Sequence, residues 1–373
     1  MVQQVNICSK CVMDSNDDPL IVFDDAGICN YCHDYENISR QRMFSKTDLD
    51  QLIAEIKKKG KNKDYDCIIG VSGGVDSTYV AYIVKSLGLR PLAVHLDNGW
   101  DSELAVSNIE NTIKTLKIDL HTLVINWEEF KDLQLSYLKA SVVDIEAISD
   151  HAIFATLYRT AGKEGIKYIL TGENLATEGF LPQHWVHNKN DLMNIKGIHR
   201  KFGKTRLRTF PFLGLRRKWY FSKIRGIKAV PILNYIQYVK EDAKQLISQN
   251  LNWRDYGGKH HESLITRFYQ SYILPQKYGV DKRKSHLSTL ICSGQMSRDD
   301  ALLELKKPLY TDEDLKKDKD YVIKKFGLTA NEFEDIMKQP VKKHTEYPSI
   351  MNWYRKLYKV FKVYRKFVPR KSN

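Results

Sequence analysis

Two short patterns in this chain combine residue types and spacing that could do chemistry. The first is a pair of CxxC knuckles, Cys8/Cys11 and Cys29/Cys32, which take four of the six cysteines within the first 32 residues. The 17 residues from 12 to 28 separate them, inside the spacing of about 15 to 20 that lets two knuckles converge on one tetrahedral Zn²⁺. Four thiolates leave no open coordination position, so the expected role is structural. Between the knuckles runs "VMDSNDDPLIVFDDAGI"; "IVF" suits a short strand and "DDAG" a turn, the layout of a zinc ribbon. Two disulfides are a weak alternative in a chain whose start lacks the basic and apolar pattern of a secretory leader. An iron–sulfur cluster stays open until metal analysis decides it.

The second pattern is "CIIGVSGGVDSTYVAYIVKS", residues 67–86. An apolar run ends in Ser72-Gly73-Gly74-Val75-Asp76-Ser77, and an amphipathic stretch follows. Glycines between a strand and a helix let backbone N–H groups approach an anion, and the helix N-terminus adds partial positive charge. The loop is not GxxxxGK[ST], since no lysine follows the second glycine, and it is not GxGxxG. A tight turn without ligand would explain a bare "SGG" but leaves the "DS" unexplained.

These residues need a scaffold, and the 373-residue chain is long enough for about two domains with packed cores: 42% of it is hydrophobic. "PLAVHLDNG", "HTLVIN" and "IKYILTGEN" read as further strands, with helical patterns "SELAVSNIENTIKTLK" and "DHAIFATLYRTAGKEG" between them. That alternation predicts an α/β fold, a doubly wound parallel sheet with crossover helices. "DLDQLIAEIKKKG" predicts a connecting helix, capped at its start and closed by glycine. The expected organisation is a ribbon module at 1–40, the connector at 41–64 and the α/β domain with the glycine loop at 65–180. An insertion and helical region at 181–310 then completes that domain, and a helical region with a basic tail occupies 311–373. Lys and Arg exceed Asp and Glu 59 to 45, giving +14 and a pI near 9.2, which favours anionic partners. No apolar run approaches the roughly 18 residues of a membrane span, so a cytoplasmic protein is expected.

"SGGVDS" resembles the PP-loop signature of the ATP pyrophosphatases, the group that includes GMP, NAD and asparagine synthetases and tRNA-thiolating enzymes. The resemblance implies that Ser72, Gly73, Gly74, Val75, Asp76 and Ser77 cradle the phosphates of ATP, with Asp76 also a Mg²⁺ ligand. It further implies that Asp97 in "HLDNG" faces the adenosine, and that Gly172 and Glu173 in "TGEN" close the same rim, Glu173 as a second Mg²⁺ contact. Four stretches together resemble the N-acetyl sugar amidotransferase family: "CSKCVMDSNDDPLIVFDDAGICNYC", the PP-loop, "DIEAISDHAIFATLY" and residues 256–302. The family implies a zinc-ribbon PP-loop protein that adenylates an N-acetyl group of a nucleotide sugar. Ammonia from a separate glutaminase subunit, delivered with a cyclase-like channel subunit, then gives an acetamidino sugar for lipopolysaccharide O-antigen or a related surface glycan.

Residues 256–302 interleave basic and aromatic side chains, which suits a sugar diphosphate or carboxylate. Lys259 is the expected stabiliser of the adenylated intermediate, with His261 or Glu262 taking the proton from ammonia. Lys259, Arg267 and Arg283 are expected substrate contacts, as is His151, for which a purely structural role is an equal alternative. The tail from 350 to 373 reads as a basic amphipathic helix that packs on the chain, docks on a partner or lies on an anionic membrane. The rival function is tRNA modification by a thiolase-type PP-loop enzyme; its catalytic cysteines have no evident counterpart, so nucleic acid is not the expected partner.

Overall fold

A computed structural model describes residues 5–185, 187–257 and 262–353. Its centre is a five-stranded, wholly parallel sheet: β1 Cys67–Gly70, β2 Pro91–Asp97, β3 Asp119–Val124, β4 Tyr168–Thr171 and β5 Lys228–Pro231, in the spatial order β3-β2-β1-β4-β5. Each side chain along β1 takes the face that the two-residue period of a strand dictates. Ile68 packs under Ala155, Tyr158 and Ala161, whereas Cys67 and Ile69 pack under Val80, Ala81 and Val84. Both faces are thus covered, which is why these strands read as continuous apolar runs.

The helices before and within the sheet are α1 Asn30–Arg42, α2 Lys46–Gly60, α3 Val75–Ser86, α4 Glu103–Leu116, α5 Trp127–Ala140 and α6 Ala147–Lys163. The connecting helix α2 starts three residues earlier than its sequence suggests, because Ser45 rather than Asp48 caps it. The Ser45 hydroxyl accepts from Asp48 N, and the Asp48 carboxylate accepts from Ser45 N. α6 likewise starts at Ala147, so Asp150 is not its cap; that carboxylate sits in the first turn and pairs with Lys189. β3 begins and ends two residues before "HTLVIN" predicts. It is an exposed edge strand with a weak burial signal, and Asn126 leaves it to cap α5, accepting from Glu129 N at 3.1 Å.

Residues 181–310 supply β5, the fifth strand, which pairs Tyr168–Thr171 with Lys228–Pro231. Short helices follow β4: α7 Leu175–Glu178, α8 Leu192–Phe202 and α9 Leu215–Trp219. Next come α10 Lys240–Leu251, and α11 Leu264–Phe268 running on as a wider π turn through Tyr278. The chain ends in α12 Lys282–Cys292, α13 Arg298–Lys306, α14 Asp312–Phe326 and α15 Ala330–Lys338. A core of Phe268, Tyr269, Phe326 and Phe333 binds these helices to Phe130 and Tyr137 of α5. The expected strand at "IVF" does not form. In its place two isolated bridges, Ile7 with Asp14 and Phe23 with Cys29, hold the cysteine module. No helix among the described residues is long and apolar enough to cross a membrane. The expected basic helix of the tail lies outside the described residues from position 354 onward.

Candidate active site

Strand order explains where a ligand would sit. β1 leads outward to β2 and β3, and the chain then returns to β4 on the other side of β1. The crevice of an open parallel sheet lies at this switch point, beyond the carboxyl ends of its strands. Ser72–Ser77 occupies it.

The loop is shaped by long-range hydrogen bonds as well as by its glycines. Gly73 has φ +77, and a Cβ there would stand 2.4 Å from the carbonyl oxygen of Ala105 on α4. Its own carbonyl accepts from Trp253 Nε1 at 2.9 Å and Asn108 Nδ2 at 3.5 Å, which turns that peptide away from the crevice. Ser72 and Ser77 hydroxyls meet at 3.1 Å, and Ser72 N donates to Ser77 Oγ at 3.2 Å. Gly74 is the N-cap of α3 and brings no capping side chain, so the first turn of that helix offers its amides to the crevice. One of them, Val75 N, donates to the hydroxyl of Tyr256 at 3.2 Å. The Tyr256 oxygen thus marks a position that a phosphate oxygen would suit.

Carboxylates ring this anion site. Tyr238 Oη donates to Asp76 Oδ1 in the first turn of α3. A Cβ on Gly172 would lie 3.3 Å from Asp76 Cβ, so the end of β4 packs closely on the first turn of α3, one residue before Glu173. Burial, with Glu178 and Asp150 nearby, holds the Glu173 carboxyl above its ordinary range. Glu262 reaches the loop too, its Oε1 3.3 Å from where a Gly74 Cβ would be. An antiparallel contact carries it there: Ser102 N donates to Glu262 O at 2.9 Å and Leu264 N to Trp100 O at 3.0 Å. Acidic groups around a phosphate loop would repel a triphosphate unless a hard dication came with it. Asp76, an oxygen donor in the first turn of α3, fits Mg²⁺ in that role by its chemistry. Asp97 ends β2 at the same edge, where its carboxylate accepts from Gly99 N at 2.8 Å and fixes the turn out of the strand.

Three of the expected substrate contacts have partners within the chain. His151 is buried, and both ring nitrogens are engaged: Nδ1 donates to Lys189 O at 2.9 Å and Nε2 accepts from Leu213 N at 3.0 Å. It is a neutral strut, and burial keeps it so by pushing its pKa down. Arg267 donates to the buried Asp318 of α14 at 2.6 Å and lies over the Tyr310 ring. Arg283 chelates Asp281 and donates to the carbonyls of Glu304, Leu305 and Lys307, closing the C-terminus of α13. Lys259 and His261 fall outside the described residues. Trp253, Tyr238, Asn108 and Tyr256 shape the loop and were not foreseen. The aromatic run "NWRDYGG" beside the quoted basic stretch was the available signal.

The second centre is closed, as four thiol ligands require. Cys8, Cys11, Cys29 and Cys32 are wholly buried with their sulfurs within 4.8 Å of one another. Neighbouring sulfurs stand 3.7 to 3.9 Å apart. Tetrahedral Zn²⁺ with bonds of about 2.3 Å requires about 3.8 Å between sulfurs, so the set fits zinc and would fail as four bare thiolates. Arg298 clamps both first-knuckle carbonyls, donating to Cys11 O and Cys8 O at 3.0 Å each, and so docks the module on α12 and α13.

Comparison with known proteins agrees with both halves of this layout. Residues 47–176 match the NAD synthase family, and residues 262–361 match the C-terminal domain of LPS biosynthesis protein WbpG-like sequences. A search of curated proteins returns no match. Among solved structures, the chain is similar to a predicted subunit of tRNA methyltransferase from Methanocaldococcus jannaschii (14% identity, TM-score 0.29, covering 49% of this chain and 75% of that one). It is also similar to NMN synthetase from Francisella tularensis (16% identity, TM-score 0.28, covering 61% and 93%). Superpositions at these scores carry no argument. The two sequence matches do, because the second begins at Glu262, the residue that reaches back into the loop of the first. An NAD-synthase-like domain joined to a WbpG-like C-terminal domain, behind four clustered cysteines, supports a PP-loop protein of the N-acetyl sugar amidotransferase type.

Proposed function

We propose that the protein is an ATP-dependent, AMP-forming amidotransferase acting on a nucleotide sugar. An amide oxygen is a poor leaving group, and transfer of AMP to the N-acetyl oxygen makes it a good one. Ammonia then adds to the carbon and AMP departs, leaving an acetamidino group, with pyrophosphate released in the first step. The observation that carries this reading is the pairing of a nucleotide loop with a lipopolysaccharide-biosynthesis domain whose first matched residue, Glu262, approaches that loop.

The roles follow from position. Backbone amides at the start of α3, with Ser72 and Ser77, would hold the departing pyrophosphate. Mg²⁺ on Asp76 and Glu173 would neutralise its developing charge. Glu262 or His261 would accept the proton that ammonia loses, and Lys259 would stabilise the adenylated intermediate, the last two assigned from sequence alone. Ammonia would come from a separate glutaminase subunit through a cyclase-like channel subunit, and the tail from 354 on would contact a partner or an anionic membrane surface. A tRNA thiolase reading is disfavoured by the cysteines. Cys67 begins β1 fully buried, with its thiol pushed up by that burial, and Cys292 lies beside the metal module.

The test is AMP release from ATP and ammonium with UDP- or CMP-linked N-acetyl sugars, read together with the product mass. Replacement of O by NH in the sugar supports the reading. Stimulation only by tRNA with a sulfur donor overturns it.

A further inference from the structure

Five of the six cysteine sulfurs lie in one place. Cys292, the last residue of α12, points its thiol at the sulfur of Cys32 across 3.8 Å. It is not one of the four sulfurs that can share a metal, and it differs from them in access: the four are wholly buried, and Cys292 is partly exposed. In the reduced protein its S–H donates to the Cys32 sulfur, the kind of contact that supports a metal-bound thiolate. The alignment is held from both sides. Arg298 grips the carbonyls of Cys8 and Cys11, Val12 N donates to Ser288 Oγ of α12 at 3.4 Å, and Lys284 of α12 bonds Asp17 at 2.9 Å.

We propose that Cys292 and Cys32 are a modification site, a thiol pair that peroxide converts to a disulfide and that thereby opens the metal centre. Cys292 is the one of the five cysteines that is not wholly buried, and oxidation follows exposure. Its sulfur attacks peroxide, forming an S–O bond and breaking the O–O bond, and hydroxide leaves and is protonated to water. The Cys32 thiolate then attacks the Cys292 sulfur. An S–S bond forms, the S–O bond breaks, and the second oxygen leaves as water. The two sulfurs lose two electrons and the peroxide gains them. The zinc is left with three thiolates and is released.

The same helix end also touches the nucleotide side. Ser293 Oγ donates to Ala176 O at 2.9 Å, and Gln295 Nε2 donates to Tyr238 O at 3.2 Å, Tyr238 being the donor to Asp76. A strained Cys32–Cys292 link would therefore pull on a contact of the PP-loop as well as on the metal.

The experiment treats the full-length, zinc-loaded protein with hydrogen peroxide, follows zinc with a chromogenic chelator, and maps disulfides on non-reduced peptides by mass spectrometry. The expected result is zinc release together with a Cys32–Cys292 linked peptide, both reversed by dithiol and added zinc. Cys292→Ser and Cys292→Ala, each first shown to carry zinc, should slow release about tenfold or more, since the accessible sulfur is gone. Unchanged release in both variants, or linkages only among Cys8, Cys11, Cys29 and Cys32, would overturn the proposal. Peptide mapping of the wild-type chain decides it even if the variants do not fold.

Discussion

Two polar regions of the molecule treat their charges in opposite ways. At the sheet's carboxyl edge, Asp76 and Glu262 lie close to glycines at the start of α3 and the end of β4, and most of the hydrogen bonds there shape the backbone. In the C-terminal helices, the arginines that look equally ready for a ligand are taken up internally, Arg267 by Asp318 and Arg283 by Asp281 and three carbonyls. What separates the two regions is whether the chain supplies the partner, and the variants below sharpen that contrast.

Asp76→Asn should have the largest effect. It removes a carboxylate where a dication is needed and should lower turnover by a hundredfold or more, a loss of about 3 kcal/mol in the transition state. Circular dichroism and the melting point should stay close to those of the wild type. Arg267→Met should do the reverse. It leaves a buried carboxylate with only Tyr310 for company, and urea denaturation should show a loss of about 3 kcal/mol while kcat per folded molecule is kept.

A pH measurement extends the contrast to the buried histidines. Burial, with His344 nearby, lowers the His187 pKa from 6.5 to about 4. The unfolded chain therefore binds the proton more readily between those values, and stability rises with pH across the window. The contribution is fully present above pH 6.5 and is lost as pH falls toward 4; it amounts to up to about 3 kcal/mol. Urea unfolding at several pH values should show the slope, and His187→Gln should flatten it. Gly73→Ala should cost at least about 2 kcal/mol, since a left-handed φ is joined by a Cβ 2.4 Å from the backbone carbonyl oxygen of Ala105. It should appear as weaker ATP binding by calorimetry, with a modest drop in melting temperature.

The two centres were legible in the sequence because each is written in a short local code. CxxC spacing sets a knuckle, and a strand followed by "SGGVDS" sets a loop, whatever surrounds them. β5 was not legible: "KAVP" is a four-residue edge strand whose first two residues are exposed, so it lacks the apolar run that marks the central strands. Nor were Trp253 and Tyr238, which reach the loop from 180 and 162 residues away in sequence. The partner of Arg267 was not legible either: a guanidinium announces its charge, but Asp318 lies 51 residues on, brought there by the packing of α14, which no local pattern encodes.

The central claim is that the PP-loop makes AMP in order to exchange a sugar amide oxygen for nitrogen. Its most direct test supplies the purified chain with ATP, Mg²⁺, ¹⁵N-ammonium and a UDP-linked diacetamido sugar or its CMP counterpart, and follows AMP and the sugar together by mass spectrometry. The account predicts AMP and ¹⁵N-labelled acetamidino sugar in equal amounts, both lost in Asp76→Asn. AMP formed without nitrogen entering any sugar, or only when tRNA and a sulfur donor are present, would contradict it.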